Sequence, residues 1–378
     1  MKRFIKNILL FLMPVAIFFC SLVPFYLWAE KTGEFAPVMF NVARQRSETR
    51  ALLGMGYNEQ TQLYKLINAN HYQKRVIALG TSRVMQFEEE FFNEGIFYNC
   101  GGGANENYDE YLNFVKNLKY KPEIIILGLD SWVFNDAWNK NLHVYDYFQE
   151  LRETQSDSLR LIVPIIRDWV QGKWTVASLD AYPNNIGFNG RIKDKGFRLD
   201  GSHYYGDVYR HPELQQDYKF VNTLHRIKTG TMRFEYGEHI DSETLRLLDE
   251  LLKYCKEQGI FVVGFIPPFA PSIFTAMIDS GKYGYIAEIA PACRELFNKY
   301  GFEFYDYQDG AVLGFPDDHY VDGFHGSEVV YGQIVKDMAE KSVIMKRYVD
   351  IGRLTEMLKN PYSGLVFVNP EDLKRGIF

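Results

Sequence analysis

Cysteine is scarce in this 378-residue chain: there are four, and Cys20 falls inside an apolar run, leaving Cys100, Cys255 and Cys293. An odd number at no ligand-like spacing argues against a disulfide framework and leaves free buried thiols as the default. Histidine is nearly as sparse, with eight residues, and no His/Cys/Asp cluster has ligand spacing, so no metal or other cofactor is indicated. Positive charge is outweighed: 42 Lys and Arg face 48 Asp and Glu, the net charge is −6 and the isoelectric point is near 5.8. No basic stretch offsets that balance, which argues against nucleic acid as the main partner. Repeats and low-complexity segments are absent as well.

Against these absences stands one long hydrophobic run. Lys2, Arg3 and Lys6 precede Ile8–Trp28, which carries no charge, and Glu30 and Lys31 follow it. Its length matches the roughly 20 residues needed to cross a bilayer, and Pro14 and Pro24 are tolerated in a span. The alternative is a cleaved signal peptide, whose apolar part would be shorter, and Leu27-Trp28-Ala29 is a poor cleavage site. The run is therefore read as an uncleaved transmembrane anchor over residues 1–30. The excess of basic residues ahead of it places the amino terminus inside and the chain from residue 30 onward outside the cytoplasm, periplasmic or at the cell surface.

Beyond the anchor, residues 31–60 are irregular and a helix is expected over Gln60–Asn70. Short apolar runs follow at Val76–Leu79, Gly95–Cys100, Glu123–Leu129, Ile260–Ile266 and Glu303–Tyr307. Helical patterns fall between several of them, at Asn105–Tyr120, Asp241–Gln258 and finally Ser327–Lys341, with Gly259 as a stop signal. That alternation predicts an α/β fold: a three-layer sandwich around a mostly parallel sheet of about five strands, flavodoxin-like, over residues 31–345. The alternation breaks once, between about 132 and 240, where Leu159–Val170 is the one helical stretch. An insertion of that size after the third strand predicts a lid or a substrate-binding elaboration. Residues 346–378 form a C-terminal extension with one apolar run, Leu365–Val368. The 26 Tyr and 29 Phe are mostly core residues, and a minority could line a groove for sugars.

Chemistry gathers at the carboxyl ends of the strands, where open α/β sheets keep their sites. The first strand runs into Gly80-Thr81-Ser82-Arg83. Ser82 either caps a helix or is a nucleophile, which would need a base within hydrogen-bond reach and an acid behind it. His325, in Val321-Asp322-Gly323-Phe324-His325-Gly326, has the setting of such a base, and Asp322 three residues earlier can orient its ring. Asn99-Cys100-Gly101-Gly102-Gly103 closes the second strand with the glycines an oxyanion hole favours. The third strand ends in Gly128-Leu129-Asp130-Ser131. In the insertion, His203 and Tyr204 of Gly201-Ser202-His203-Tyr204-Tyr205 could touch a sugar, or form a solvated loop.

Taken in order, Gly80-x-Ser82, Gly101, the Gly128 block and Asp322-x-x-His325 resemble the SGNH (GDSL-like) hydrolases. The resemblance covers about 75–130 and 242–342. It implies Ser82 as nucleophile, His325 as base, Asp322 as its orienting partner, and the Gly101 N–H, with that of Ser82, as oxyanion donor. The anchor, the Gly-Thr-Ser-Arg block and the large insertion look more like one branch. That branch holds the extracytoplasmic proteins that accompany membrane-bound O-acyltransferases in polysaccharide O-acetylation, and the D-alanine transfer protein of teichoic acid modification. A cell-envelope glycan and a membrane-bound O-acyltransferase are the partners so implied.

Two departures from the pattern stand out. Thr81 replaces the usual Asp before the nucleophile, and Asp130 stands where the family carries an oxyanion-donating Asn. An ionised carboxylate a few ångströms from a developing oxyanion would cost about 4 kcal/mol at an effective dielectric of ~20, or roughly three decades of rate. Either Asp130 is protonated and donates, or it turns away and pairs with a cation. Arg83 is the obvious cation, since a positive charge in the first turn of a helix opposes the dipole and calls for an acidic partner; binding an anionic substrate is its other possible role. Two functions follow: an esterase or acyltransferase working through acyl-Ser82, or a non-catalytic accessory that binds glycan or an acyltransferase.

Overall fold

Each of the five apolar runs becomes a strand of one sheet in the computed structural model, which describes residues 2–48, 51–103, 107–139, 158–361 and 363. The strands are Val76–Gly80, Phe97–Gly101, Ile124–Gly128, Phe261–Ile266 and Glu303–Asp306. They lie in the order second, first, third, fourth, fifth, and every neighbouring pair is parallel. The first three are buried along their whole length, which is why they read as unbroken apolar runs rather than as alternation. The order reverses between the first and third strands, and in such sheets that reversal opens a crevice at the carboxyl edge. Ser82 follows the first strand and Asp130 the third, so both stand at it.

Local chemistry sets the helix ends. The Asp241 carboxylate accepts from the Glu243 and Thr244 N–H groups to open Ser242–Gln258, and Gly259 closes that helix at φ 74°. Ser327 accepts from the Val330 N–H at the start of Glu328–Lys341, and Asn107 caps Tyr108–Lys116. The helix expected from Gln60 is Thr61–Tyr72. After Ser82, in place of the helix that Ser82 would cap, there is only the 3-10 turn Ser82–Val84.

The chain divides into two compact units. One, Gln60–Arg152 with Phe197–Phe378, contains the sheet and its core. The other, Met1–Glu59 with Glu153–Gly196, takes the middle of the insertion. Its core is Ala29, Phe35, Ile162, Ile165, Trp174, Leu179 and Phe188. The buried Glu34 carboxylate binds it together by accepting from the N–H groups of Gly56, Tyr57, Asn58 and Phe188.

The amino-terminal run lies in the helix Lys2–Thr32. No single helix among the described residues is long and apolar enough to cross a membrane. The arms Lys6–Pro14 and Ala16–Thr32, bent by 42°, meet length and composition only as a pair. The bend adjoins Pro14, which removes a backbone hydrogen bond and clashes with the preceding turn. Leu365–Val368 lies outside the described residues.

Candidate active site

Three strand ends and one valine fix the turn that carries Ser82. A Cβ on Gly80 would stand 2.7 Å from Val84 Cγ1, one on Gly101 would stand 2.9 Å from Val84 Cγ2, and one on Gly128 would come closer still. Val84 therefore fills the space left by three missing side chains, each ending a different strand. Asn99 secures the far side of the turn. Its amide donates to the Val84 and Phe87 carbonyls, both at 2.8 Å, and it is fully buried.

Within the turn, Thr81 does the capping: its hydroxyl accepts from the Arg83 N–H at 3.3 Å. Ser82 is left free for another role. Its Oγ lies 2.8 Å from His325 Nε2, and His325 Nδ1 lies 2.8 Å from Asp322 Oδ2. The other Asp322 oxygen accepts from the Phe324 and His325 N–H groups at 3.0 and 2.8 Å. Burial pushes the Asp322 carboxyl up, but the His325 ring and those N–H groups outweigh it and hold it below the ordinary range. An ionised Asp322 assigns the proton to Nδ1 and turns the Nε2 lone pair toward Ser82, the tautomer a general base requires. Phe324 seats the loop, its ring edge-on to Trp132 at 5.9 Å and to Phe234 at 6.0 Å.

Arg83 and Asp130 are brought together beneath the serine. Arg83 Nη1 is 3.4 Å from Asp130 Oδ1, and both side chains are sealed from solvent. The Thr81 hydroxyl donates to Asp130 Oδ2 at 2.6 Å. Arg83 also donates to the Pro267 carbonyl at 2.8 Å, and its guanidinium packs against the rings of Phe269 (4.5 Å) and Trp132 (5.3 Å). Burial pushes the Asp130 carboxyl above its usual range, opposed by Arg83, the Thr81 hydroxyl and Arg233. The geometry is that of a carboxylate turned to a cation. The reason differs from the one expected, because there is no α-helix here whose dipole Arg83 could oppose; a buried guanidinium needs a counter-charge.

Three expected site residues are differently employed. The Gly101 N–H, assigned to the oxyanion hole by resemblance, donates to Asn99 Oδ1 at 2.7 Å. The Ser82 N–H opens the 3-10 turn, where the first amide has no partner within the turn. Tyr204 is buried under the Arg198 guanidinium, 4.9 Å from its ring, and so packs the core instead of facing a substrate. His203 meets the serine loop through its backbone, its N–H donating to the Met85 carbonyl and its carbonyl accepting from Gln86 Nε2, both at 2.9 Å. Its ring packs edge-on against Tyr205 at 4.8 Å. Burial, then the Asp322 charge, pushes the Tyr205 phenol up, so that ring lies within electrostatic reach of the triad.

A buried cluster unforeseen from the sequence ties both edge loops to the insertion. Arg198 donates to Glu88 Oε1 at 3.4 Å and to Glu328 Oε1 at 2.9 Å. Glu88 closes the loop after Ser82, and Glu328 opens the helix after His325. Asp200 accepts from the Ser202 hydroxyl at 2.7 Å and from the Glu89 N–H at 2.9 Å. The charge runs Glu88-Glu89-Glu90 and Arg198-x-Asp200 were the only local signal, and a charge run ordinarily reads as solvated surface. Among the described residues, no group of three or more His, Cys, Asp and Glu could hold a metal.

No protein-family model matches the chain, and no curated protein sequence matches it significantly.

Proposed function

We propose that the chain is a membrane-anchored, extracytoplasmic esterase or O-acyltransferase of the SGNH kind, acting on a cell-envelope glycan through an acyl-Ser82 intermediate. The observation that carries this reading is the continuous chain Ser82–His325–Asp322, with hydrogen bonds of 2.8 and 2.8 Å at a sheet edge. Such a chain lets Ser82 Oγ attack an acyl carbonyl while its proton passes to His325 Nε2. The tetrahedral oxyanion then collapses, the C–O bond to the leaving alcohol breaks, and Nε2 returns the proton to that alcohol. Water or a sugar hydroxyl next attacks acyl-Ser82, giving its proton to Nε2, which restores it to Ser82 Oγ. The buried Arg83–Asp130 pair supports the same reading, since it neutralises the carboxylate that would otherwise oppose the oxyanion. The uncharged run Ile8–Trp28 behind three basic residues supports the anchor and its orientation.

The second reading, a non-catalytic glycan-binding partner of a membrane-bound O-acyltransferase, draws on the Gly101 amide, which is taken by Asn99. A fluorophosphonate separates the two. The enzyme reading expects a covalent adduct on the Ser82 peptide that Ser82→Ala and His325→Ala both abolish. An unlabelled Ser82 in the folded, full-length protein sinks it.

A further inference from the structure

We infer that the helix Ser158–Val170 lies in the lipid–water interface beside the anchor, its Val163–Val170 edge and Trp169 against lipid. It rests on the anchor reading above, and the packing and a length then carry it. The last turns of the apolar run are bound to this helix. The Phe25 ring stands 5.3 Å from Trp169 and 6.2 Å from Trp174, and Trp28 stands 5.8 Å from Trp174. Leu22, Phe25 and Trp28 all pack against the core that Ile162 and Ile165 supply. The apolar residues ahead of Leu22, from Ile8 to Ser21, reach only ~21 Å at ~1.5 Å per residue. A hydrocarbon core of ~30 Å is longer than that, and the 42° bend shortens the projection further. The turns from Leu22 to Trp28 are therefore needed at membrane depth, and they take the helix fastened to them along.

What that helix exposes fits the place. Val163, Trp169, Val170 and, just beyond, Val176 are exposed apolar residues, at 66%, 43%, 72% and 47%. Exposed Arg160, Arg167 and Lys173 are interleaved with them. Val163, Arg167 and Val170 share one face at helical spacing. An apolar edge with Arg160 and Arg167 about two turns apart, Lys173 just past its end and Trp169 adjoining it in sequence, is the composition of helices that lie among anionic headgroups, even with Asp168 paired to Arg167 and Lys173. The core of a protein–protein interface is instead depleted of charge, so lipid is favoured over a protein partner here.

Photo-crosslinking of the full-length chain tests this. Benzoylphenylalanine is placed singly at Leu12 in the span, at Val163, at Val170, and at Val312, an exposed valine of the sheet-bearing unit. Each variant is reconstituted in phosphatidylglycerol–phosphatidylethanolamine vesicles, irradiated, and read by mass spectrometry. Lipid adducts at Val163 and Val170 within about threefold of Leu12, and about tenfold or more above Val312, are expected for a helix in the interface. Lipid adducts at Leu12 with none, or only copy-to-copy adducts, at Val163 and Val170 overturn the inference and leave the anchor standing. No lipid adduct at Leu12 removes the anchor reading, and the inference with it.

Discussion

Asp130→Asn separates the two roles open to the carboxylate beneath Ser82. In the wild type the charge is spent on Arg83 at 3.4 Å and on the Thr81 hydroxyl at 2.6 Å. Coulomb attraction at that separation is about 5 kcal/mol gross at an effective dielectric of ~20. Asparagine keeps an acceptor for Thr81 but leaves the guanidinium with only the Pro267 carbonyl and two aromatic faces. Stability should fall by about 3 kcal/mol, the low end for breaking a buried pair, which is roughly 6–12 °C in the melting midpoint. The rate of fluorophosphonate labelling at Ser82 should stay within about tenfold of wild type, since no uncompensated negative charge was there to remove. Arg83→Ala should lower stability and labelling together. Two results refute the reasoning. A rise of about three decades in the Asp130→Asn labelling rate would mean that the carboxylate was never neutralised. Loss of labelling in folded Asp130→Asn, with Arg83→Ala leaving folding untouched, would give Asp130 a part in the chemistry itself.

Arg198→Ala should cost about 3–5 kcal/mol, read by urea unfolding, because it removes the guanidinium that pairs with both Glu88 and Glu328 in the interior; a change under about 1 kcal/mol would show that the cluster is hydrated. Asn99→Ala should slow Ser82 labelling by about ten- to a hundredfold, as the Val84 and Phe87 carbonyls lose their donor; unchanged labelling would show that the turn holds itself. Glu90, raised to about 8 by burial and then by the Glu88 and Asp200 charges, keeps its proton in the folded state while the unfolded chain releases it near 4.5. Stability should therefore fall as pH rises between those values, and Glu90→Gln should flatten that fall between about pH 5 and about pH 8; equal slopes in the two proteins would refute the assignment.

The sheet was legible because its first three strands are buried along their whole length. Ile124–Leu127 can be nothing but apolar, and turn residues bound it on each side. Helix ends were legible where a cap is local, as at Asp241 and Gly259. Ser82, Asp322 and His325 were legible because edge loops concentrate chemistry in this topology. Arg198 was not: its partner Glu328 lies 130 positions away, and nothing in either neighbourhood distinguishes a buried ion pair from two solvated charges. Asn99 carries no signal of its own in the sequence, where it only precedes a run of glycines, although its amide holds the serine turn. The insertion read as one segment because composition carries no signal of which residues pack with the amino-terminal helix.

Val84 makes the three motif glycines a single steric footprint. Gly80, Gly101 and Gly128 come from separate strands, yet each is small for the same isopropyl group. A methyl group gained at Gly80 or Gly128 must be offset by shaving Val84, and one gained at Gly101 would meet the Asn99 amide oxygen as well. A shaved Val84 opens a void under the turn and loosens the serine it carries. Neither step is tolerable without the other, and together they still blur the alignment of nucleophile and base. Sequence drift at these four positions is thus mutually locked, and the glycines that look like entries for an oxyanion are equally the socket of a hydrophobic plug.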